Sequence, residues 1–216
     1  MTQENLRVTF FVYFWPMKKL LIFVTILLSV QLYAQDTVLL RHIKEANMEV
    51  ATFQSNITRH LVTSSDITDR NGELQFMAPD KLCTEFDNGT YLIINNNRIK
   101  LDIGYFHGTF KIRKKGLMRS FANLFLYAFQ GRCQDLAEEN NYFIETQTDE
   151  NFHIVTLTTK KKSFLGIGYK TAVFHFGLED LLIKELILTD YRDTHDTYRL
   201  LAPVINGNMD ESKFSL

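Results

Sequence analysis

The chain has 216 residues, with 24 Lys and Arg against 25 Asp and Glu, a formal net charge of −1. It is 45% hydrophobic and 23% charged, with only 3 Pro and 2 Cys. This globular balance excludes a disordered chain, a collagen and a disulfide scaffold, and the lack of surplus cation excludes non-specific nucleic-acid binding.

The N-terminus carries its own signal. Lys18 and Lys19 precede an apolar run of 11 residues, Leu20 to Val30, and Ala34 stands at the expected cleavage point. This is the build of a secretory signal peptide, too short for the roughly 20 apolar residues of a membrane span. Residues 1–16 read as an upstream over-call of the start, with Met17 as the expected true start. Residues 35–216 are then expected to form a single exported domain. Its 182 residues carry 21 bases and 24 acids. The chain holds 18 Phe, and 14 of them lie beyond residue 34.

Residues 38–50 predict a helix, because Leu39, Ile43, Ala46 and Val50 form one apolar stripe. The pattern then switches to period two, with Phe53, Ser55, Ile57, Arg59 and Leu61 facing one way. The polar stretch TSSDITDRNG ends in Asn71-Gly72, which reads as a hairpin turn. Strands follow at 73–76, 81–87, 91–94 and 98–103, separated by the break at Ala78-Pro79-Asp80, by Asn88-Gly89 and by Asn95-Asn96-Asn97. Residues 104–116 read as a basic connection bearing Lys111, Arg113, Lys114 and Lys115. A second helix is expected over 117–130, with Met118, Phe121, Ala122, Phe125 and Phe129 on one stripe. Strands then return over 141–148, 151–160, 167–178, 182–190 and 197–202, with a short terminal one at 213–216. The expected fold class is α+β, a curved antiparallel sheet or incomplete β-barrel of about ten strands. Two or more helices cover its concave face.

Catalytic signatures are missing. The sequence has no H-E-x-x-H, no G-x-S-x-G, no phosphate-binding glycine loop and no C-x-x-C. Asp193-Thr194-His195-Asp196 reads as a polar hairpin loop rather than an acid/base cluster. No enzyme activity, cofactor or metal is expected. Cys83 and Cys133 are a candidate disulfide in an oxidising compartment. Against it, strand alternation puts Cys83 on the face of Glu85, opposite Leu82 and Phe86.

Three stretches carry a resemblance: the amphipathic first helix running into ATFQSNITRHLV, the segment GELQFMAPDKLCTEFDNGTYLIINNNR with Gly72, Leu74, Phe76 and Pro79, and the tail NGNMDESKFSL. In these the chain resembles the LolA-type outer-membrane lipoprotein carrier proteins. The resemblance implies an unclosed barrel with a helical lid and a hydrophobic cavity for the acyl chains of lipoproteins. It implies a monomer that crosses the periplasm between an inner-membrane ABC-type release complex and an outer-membrane acceptor. Many family members place an Arg before the turn proline to latch sheet to lid, and Ala78 stands there instead. Ile43, Leu82, Phe86, Ile93, Leu101, Phe121, Phe125 and Phe129 are the expected cavity wall. The alternatives are the same fold around another acylated lipid, or a periplasmic module that senses lipoproteins.

Overall fold

Alternation in the sequence becomes one antiparallel sheet. The computed structural model describes residues 37–102, 107–114, 116–160 and 168–216. The chain divides into a unit of residues 1–39 and a unit of residues 40–216. Residues 1–34, where a leader is expected, lie outside the described residues. Among the described residues no helix is long and apolar enough to cross a membrane.

Helix α1 covers residues 37–48. The strands are β1 Thr52–Val62, β2 Ile67–Met77, β3 Lys81–Phe86, β4 Tyr91–Asn95, β5 Arg98–Asp102 and β6 His107–Lys111. Helices α2 Leu117–Phe129 and α3 Cys133–Asn140 follow. The second half holds β7 Tyr142–Thr148, β8 Phe152–Thr159, β9 Tyr169–Gly177, β10 Ile183–Asp190 and β11 His195–Ile205. A 3-10 turn, η1, covers Glu211–Phe214.

The 11 strands form one open sheet in the order β6-β5-β4-β3-β2-β1-β11-β10-β9-β8-β7. It is two meanders joined back to back, with β1 and β11 as the seam. Every neighbouring pair is antiparallel, so register alone sorts side chains between the faces. Phe53 faces Phe76, Phe76 faces Leu82, Leu82 faces Ile94, and Ile94 faces Ile99. These residues form one continuous apolar row on the inner face, the one against which α2 packs. The curved open sheet with helices against one face is the architecture that the resemblance implies.

Three expectations need correction. Asn71-Gly72 is not a turn but the middle of β2, where Gly72 lies opposite Ile57 on one side and Phe86 on the other. The turn falls at 63–66, where the Thr63 hydroxyl accepts from the backbone N–H groups of Ser65 and Asp66. Glycine is needed at 72 for space, since a β-carbon there would overlap the Glu85 carbonyl oxygen. The basic connection contains an edge strand, β6, paired with β5 from Arg98–Lys111 to Asp102–His107. The expected last strand is the η1 turn, whereas α3 falls within the expected two or more helices. Asp210 caps η1 by accepting from Ser212 N at 2.9 Å, and that local bond competes with strand pairing.

Candidate functional site

Helix α2 seats an aromatic stripe on the inner face of the sheet. Phe129 meets Phe53 edge-on at 5.1 Å between ring centroids and stacks on Phe76 at 5.4 Å. Phe125 meets Tyr198 of β11 edge-on at 5.4 Å and Phe121 at 5.3 Å. Phe121 stacks on Tyr169 of β9 at 6.2 Å. A surface helix shows one apolar face, but every residue of α2 from Ala122 to Gln130 is buried. It is enclosed by the sheet on one side and α3 on the other.

What remains beneath α2 is a wholly apolar void. Ile57, Leu74, Leu186 and Leu200 line it from the sheet, and Phe125 and Phe129 from the helix. Its volume is about 10 Å³. A void of about that size holds roughly one water molecule. The helix therefore occupies the space over this stretch of the sheet.

Polar contacts hold the cover in place. On its far side Ser120, Asn123 and Tyr127 bind Asn140 and Glu139 of α3, so the two helices form one block. At its end Gln130 Nε2 donates to the Pro79 carbonyl in the turn between β2 and β3. This bond ties the end of the helix to the turn that follows Ala78, with the donor on the helix side. Beside it, Lys44 of α1 and Arg132 share the Asp135 carboxylate at 3.0 and 2.6 Å. Burial opposes ionisation of Asp135, but the hydrogen bonds from Arg132 and Lys44 hold it below the ordinary aspartate range. A groove of about 340 Å³ opens here, lined by Lys44, Met48, Pro79, Gln130 and Arg132 among others.

One ionic group sits within the apolar face. Arg59 binds Asp196 in a fork, Nε to Oδ1 and Nη2 to Oδ2, each at 2.8 Å. Tyr198 adds its hydroxyl to the same carboxylate at 2.8 Å. The guanidinium lies 5.9 Å from the Phe86 ring and 5.6 Å from the Tyr198 ring. Burial disfavours the charge on Arg59, yet Tyr198 and Asp196 raise its pKa above the ordinary value. Burial, with the nearby Asp196, pushes the Tyr198 and Tyr169 phenols up. The group is a satisfied fork, the arrangement that makes a buried charge pair tolerable.

The expected wall residues are placed as follows. Phe125 and Phe129 line the void, and Phe121 extends their stripe toward β9. Leu82, Phe86 and Leu101 lie buried along the inner face of β3 to β5. Ile43 is fully buried in α1, whose backbone approaches Gly131 so closely that a β-carbon there would overlap it. Ile93 is a correction: it lies opposite Cys83, on the outer face with η1, and shares no face with Leu82 or Phe86. The candidate disulfide is a second correction. Cys83 and Cys133 are both free and buried. Cys83 points to the outer face beneath η1, while Cys133 opens α3 on the helix side, so the sheet separates them. Burial, aided by Glu85, pushes the Cys83 thiol up to about 11. Burial raises Cys133 further.

The polar stretch near His195 does not form one cluster. His195 Nδ1 lies 3.1 Å from the Thr189 hydroxyl, Asp193 pairs with Lys170, and Asp196 belongs to Arg59. Among the described residues no three His, Cys, Asp or Glu are placed to hold a metal ion. Sequence reasoning missed Ile57, Leu74, Leu186, Tyr198 and Leu200 as lining. Alternation within each strand shows their shared face, but only the β1–β11 pairing brings them together.

No protein-family model matches the chain, and no curated protein does. Among solved structures it is similar to a LolA superfamily protein from Nitrosomonas europaea, at 9% identity and TM-score 0.42, over 83% of this chain and 97% of that one. It is also similar to a DUF1329 family protein from Desulfovibrio piger, at 13% identity and TM-score 0.44, over 82% and 94%. The lipoprotein LppX from Mycobacterium tuberculosis aligns at 11% identity and TM-score 0.38, over 81% and 98%.

Proposed function

We propose that this chain is an exported carrier that holds the acyl chains of lipoproteins between the inner face of its sheet and α2. The observation that carries the reading is the cover itself: an aromatic helix lying on a continuous apolar sheet face, tied at its end by one side-chain bond, Gln130 to Pro79. Such a helix stands where a ligand would lie and can be exchanged for one.

The energetics are balanced. Buried methylenes contribute about 0.8 kcal/mol each, so an acyl chain of about fifteen methylenes gains on the order of 12 kcal/mol. Lifting α2 costs a comparable amount, because three Phe side chains at about 1.5–3 kcal/mol each leave the sheet together with part of the helix. A carrier needs this near-equality, since it must both take up and release its cargo. The ligand requires no polar recognition, no cofactor and no chemistry.

In this reading the protein works in the periplasm, collects lipoproteins from an inner-membrane ABC-type release complex and passes them to the outer membrane, with or without an acceptor protein. The test is native mass spectrometry of the exported protein with a triacylated lipoprotein. A one-to-one complex is expected. No complex, together with a normal outer-membrane lipoprotein content in a deletion strain, would sink the proposal.

A further inference from the structure

The sheet carries a charge asymmetry that the cavity does not use. Residues 88–116 hold six Lys and Arg and one acid, Asp102, within a chain whose net charge is −1. Pairing of β5 with β6 concentrates these cations. Arg98 lies directly opposite Lys111. Ile99 and Leu101 are buried on the inner face, so Arg98 and Lys100 share the outer one. Phe110 faces Ile99, so Lys111 shares that same outer face, and exposed Arg113 continues the alternation past buried Ile112, just beyond the strand end. Four cations therefore project from one side of a two-stranded sheet edge, with exposed Lys114 next in the chain. Lys100 touches the Tyr91 ring at 5.6 Å, and none of the five is ion-paired with a described carboxylate.

A directly opposed like-charge pair destabilises a sheet. One or two lysines would keep a free edge from pairing with another chain. They would not call for Arg98 facing Lys111, nor for a cationic run continuing past the strand. That run ends at Gly116, the φ +129° residue from which α2 starts, and the first turn of α2 holds Arg119 and no acid. The cations thus crowd the root of the cover helix, where the helix dipole also repels them.

We infer that the outer face of the β5–β6 edge, carrying Arg98, Lys100, Lys111 and Arg113, docks on an anionic lipid bilayer. The inference rests on the carrier reading for its occupant. A protein that loads acyl chains must meet a membrane, and clustered exposed cations are attracted by an anionic surface within a Debye length. Tyr91 on the same face supplies the amphipathic ring that favours the headgroup level. Docking there places the bilayer beside the start of α2, so that the cover opens next to the lipid.

The test is sedimentation with vesicles of phosphatidylcholine alone and of an equal mixture with phosphatidylglycerol. Wild type and a Lys111→Glu, Arg113→Glu variant are compared as isolated from expressing cells, so that any leader contributes equally to both. Wild type is expected to partition to the anionic vesicles only and to leave them as salt is raised. Each cation near such a surface contributes roughly fivefold in partitioning, so the double reversal is expected to weaken binding by more than about 25-fold. A Lys111→Arg, Arg113→Lys variant should bind as wild type does. An unchanged melting temperature and circular dichroism spectrum keep the comparison valid. Equal binding of wild type to both vesicles, unaltered binding by the reversed variant, or patch-dependent capture of a single-stranded oligonucleotide without vesicle binding would each overturn the inference. Uptake of a fluorescent fatty acid in vesicle-free solution is read in parallel. If it fails in wild type while patch-dependent vesicle binding persists, the carrier reading falls and the docking surface stands.

Discussion

Ser55 shows how much one hydroxyl can matter in this sheet. Register between β1 and β11 slips between Gln54, opposite Val204, and Asn56, opposite Leu201. Two residues of β11 stand opposite Ser55 alone, Ala202, at φ +49°, and Pro203, which has no N–H to give. Buried Ser55 fills the gap: its hydroxyl donates to the Leu201 carbonyl and accepts from Leu201 N, both at 2.9 Å. Ser55→Ala would leave buried backbone groups unpaired, and a loss of about 1–3 kcal/mol is expected by urea unfolding. Gly72→Ala is expected to cost about 3 kcal/mol or more, because its methyl meets the rigid Glu85 backbone instead of a movable side chain. In the sequence, Ser55 reads only as one inward position of an alternating strand and Asn71-Gly72 reads as a turn. The first reading is right but incomplete and the second is wrong, for one cause: the reason for each residue lies on a neighbouring strand that local pattern does not name.

At the scale of elements, α2 is where sequence and structure agree most closely. The expected helix over 117–130 and its Phe121, Phe125 and Phe129 stripe are observed as Leu117–Phe129 with those rings on the sheet. A helical period is local, so it survives without knowledge of partners. What α2 rests on depends on the β1–β11 seam and was not readable. Truncating Phe129 to Ala removes the ring held between Phe53 and Phe76, and a loss of about 3–5 kcal/mol is expected in thermal or urea unfolding. Gln130→Ala should act differently. It removes the bond to Pro79 and a longer one from Arg132, at about 1 kcal/mol each a modest loss of stability, but it frees the end of the cover. Stopped-flow mixing with a fluorescent fatty acid should then show faster uptake than in wild type. An unchanged rate would mean that the Pro79 contact is not what holds α2 closed.

Across the whole molecule, the outer face adds an acid-sensitive brace. Glu185 of β10 is buried, with Arg199 Nη2 at 2.9 Å and His175 Nδ1 at 2.8 Å. The close approach of His175, outweighing burial and joined by the hydrogen bond from Arg199, holds its carboxyl below the ordinary value of 4.5. A depressed carboxylate stabilises the fold above its unfolded pKa, and that contribution is lost as pH falls through the folded value. Unfolding midpoints are therefore expected to drop as pH falls below about 4.5, and the Glu185→Gln variant should show a shallower acid limb than wild type. The antiparallel pairing of successive strands within each meander followed from turn spacing, with the edge strand β6 as the exception. The seam that joins the meanders did not, because it pairs segments that local turn signals cannot connect.

That seam also sets an order of events. Ser55 and Leu201 are 146 residues apart, yet they meet at the centre of the sheet. Each meander can pair by short hairpins, whereas β1 must wait for β11, almost the last strand made, and then close a very long loop. Until residues 195–205 have emerged, β1 has only β2 beside it, and the ceiling helix α2 has half a floor. The nascent chain consequently remains open along its midline until β11 has emerged and only then completes its interior.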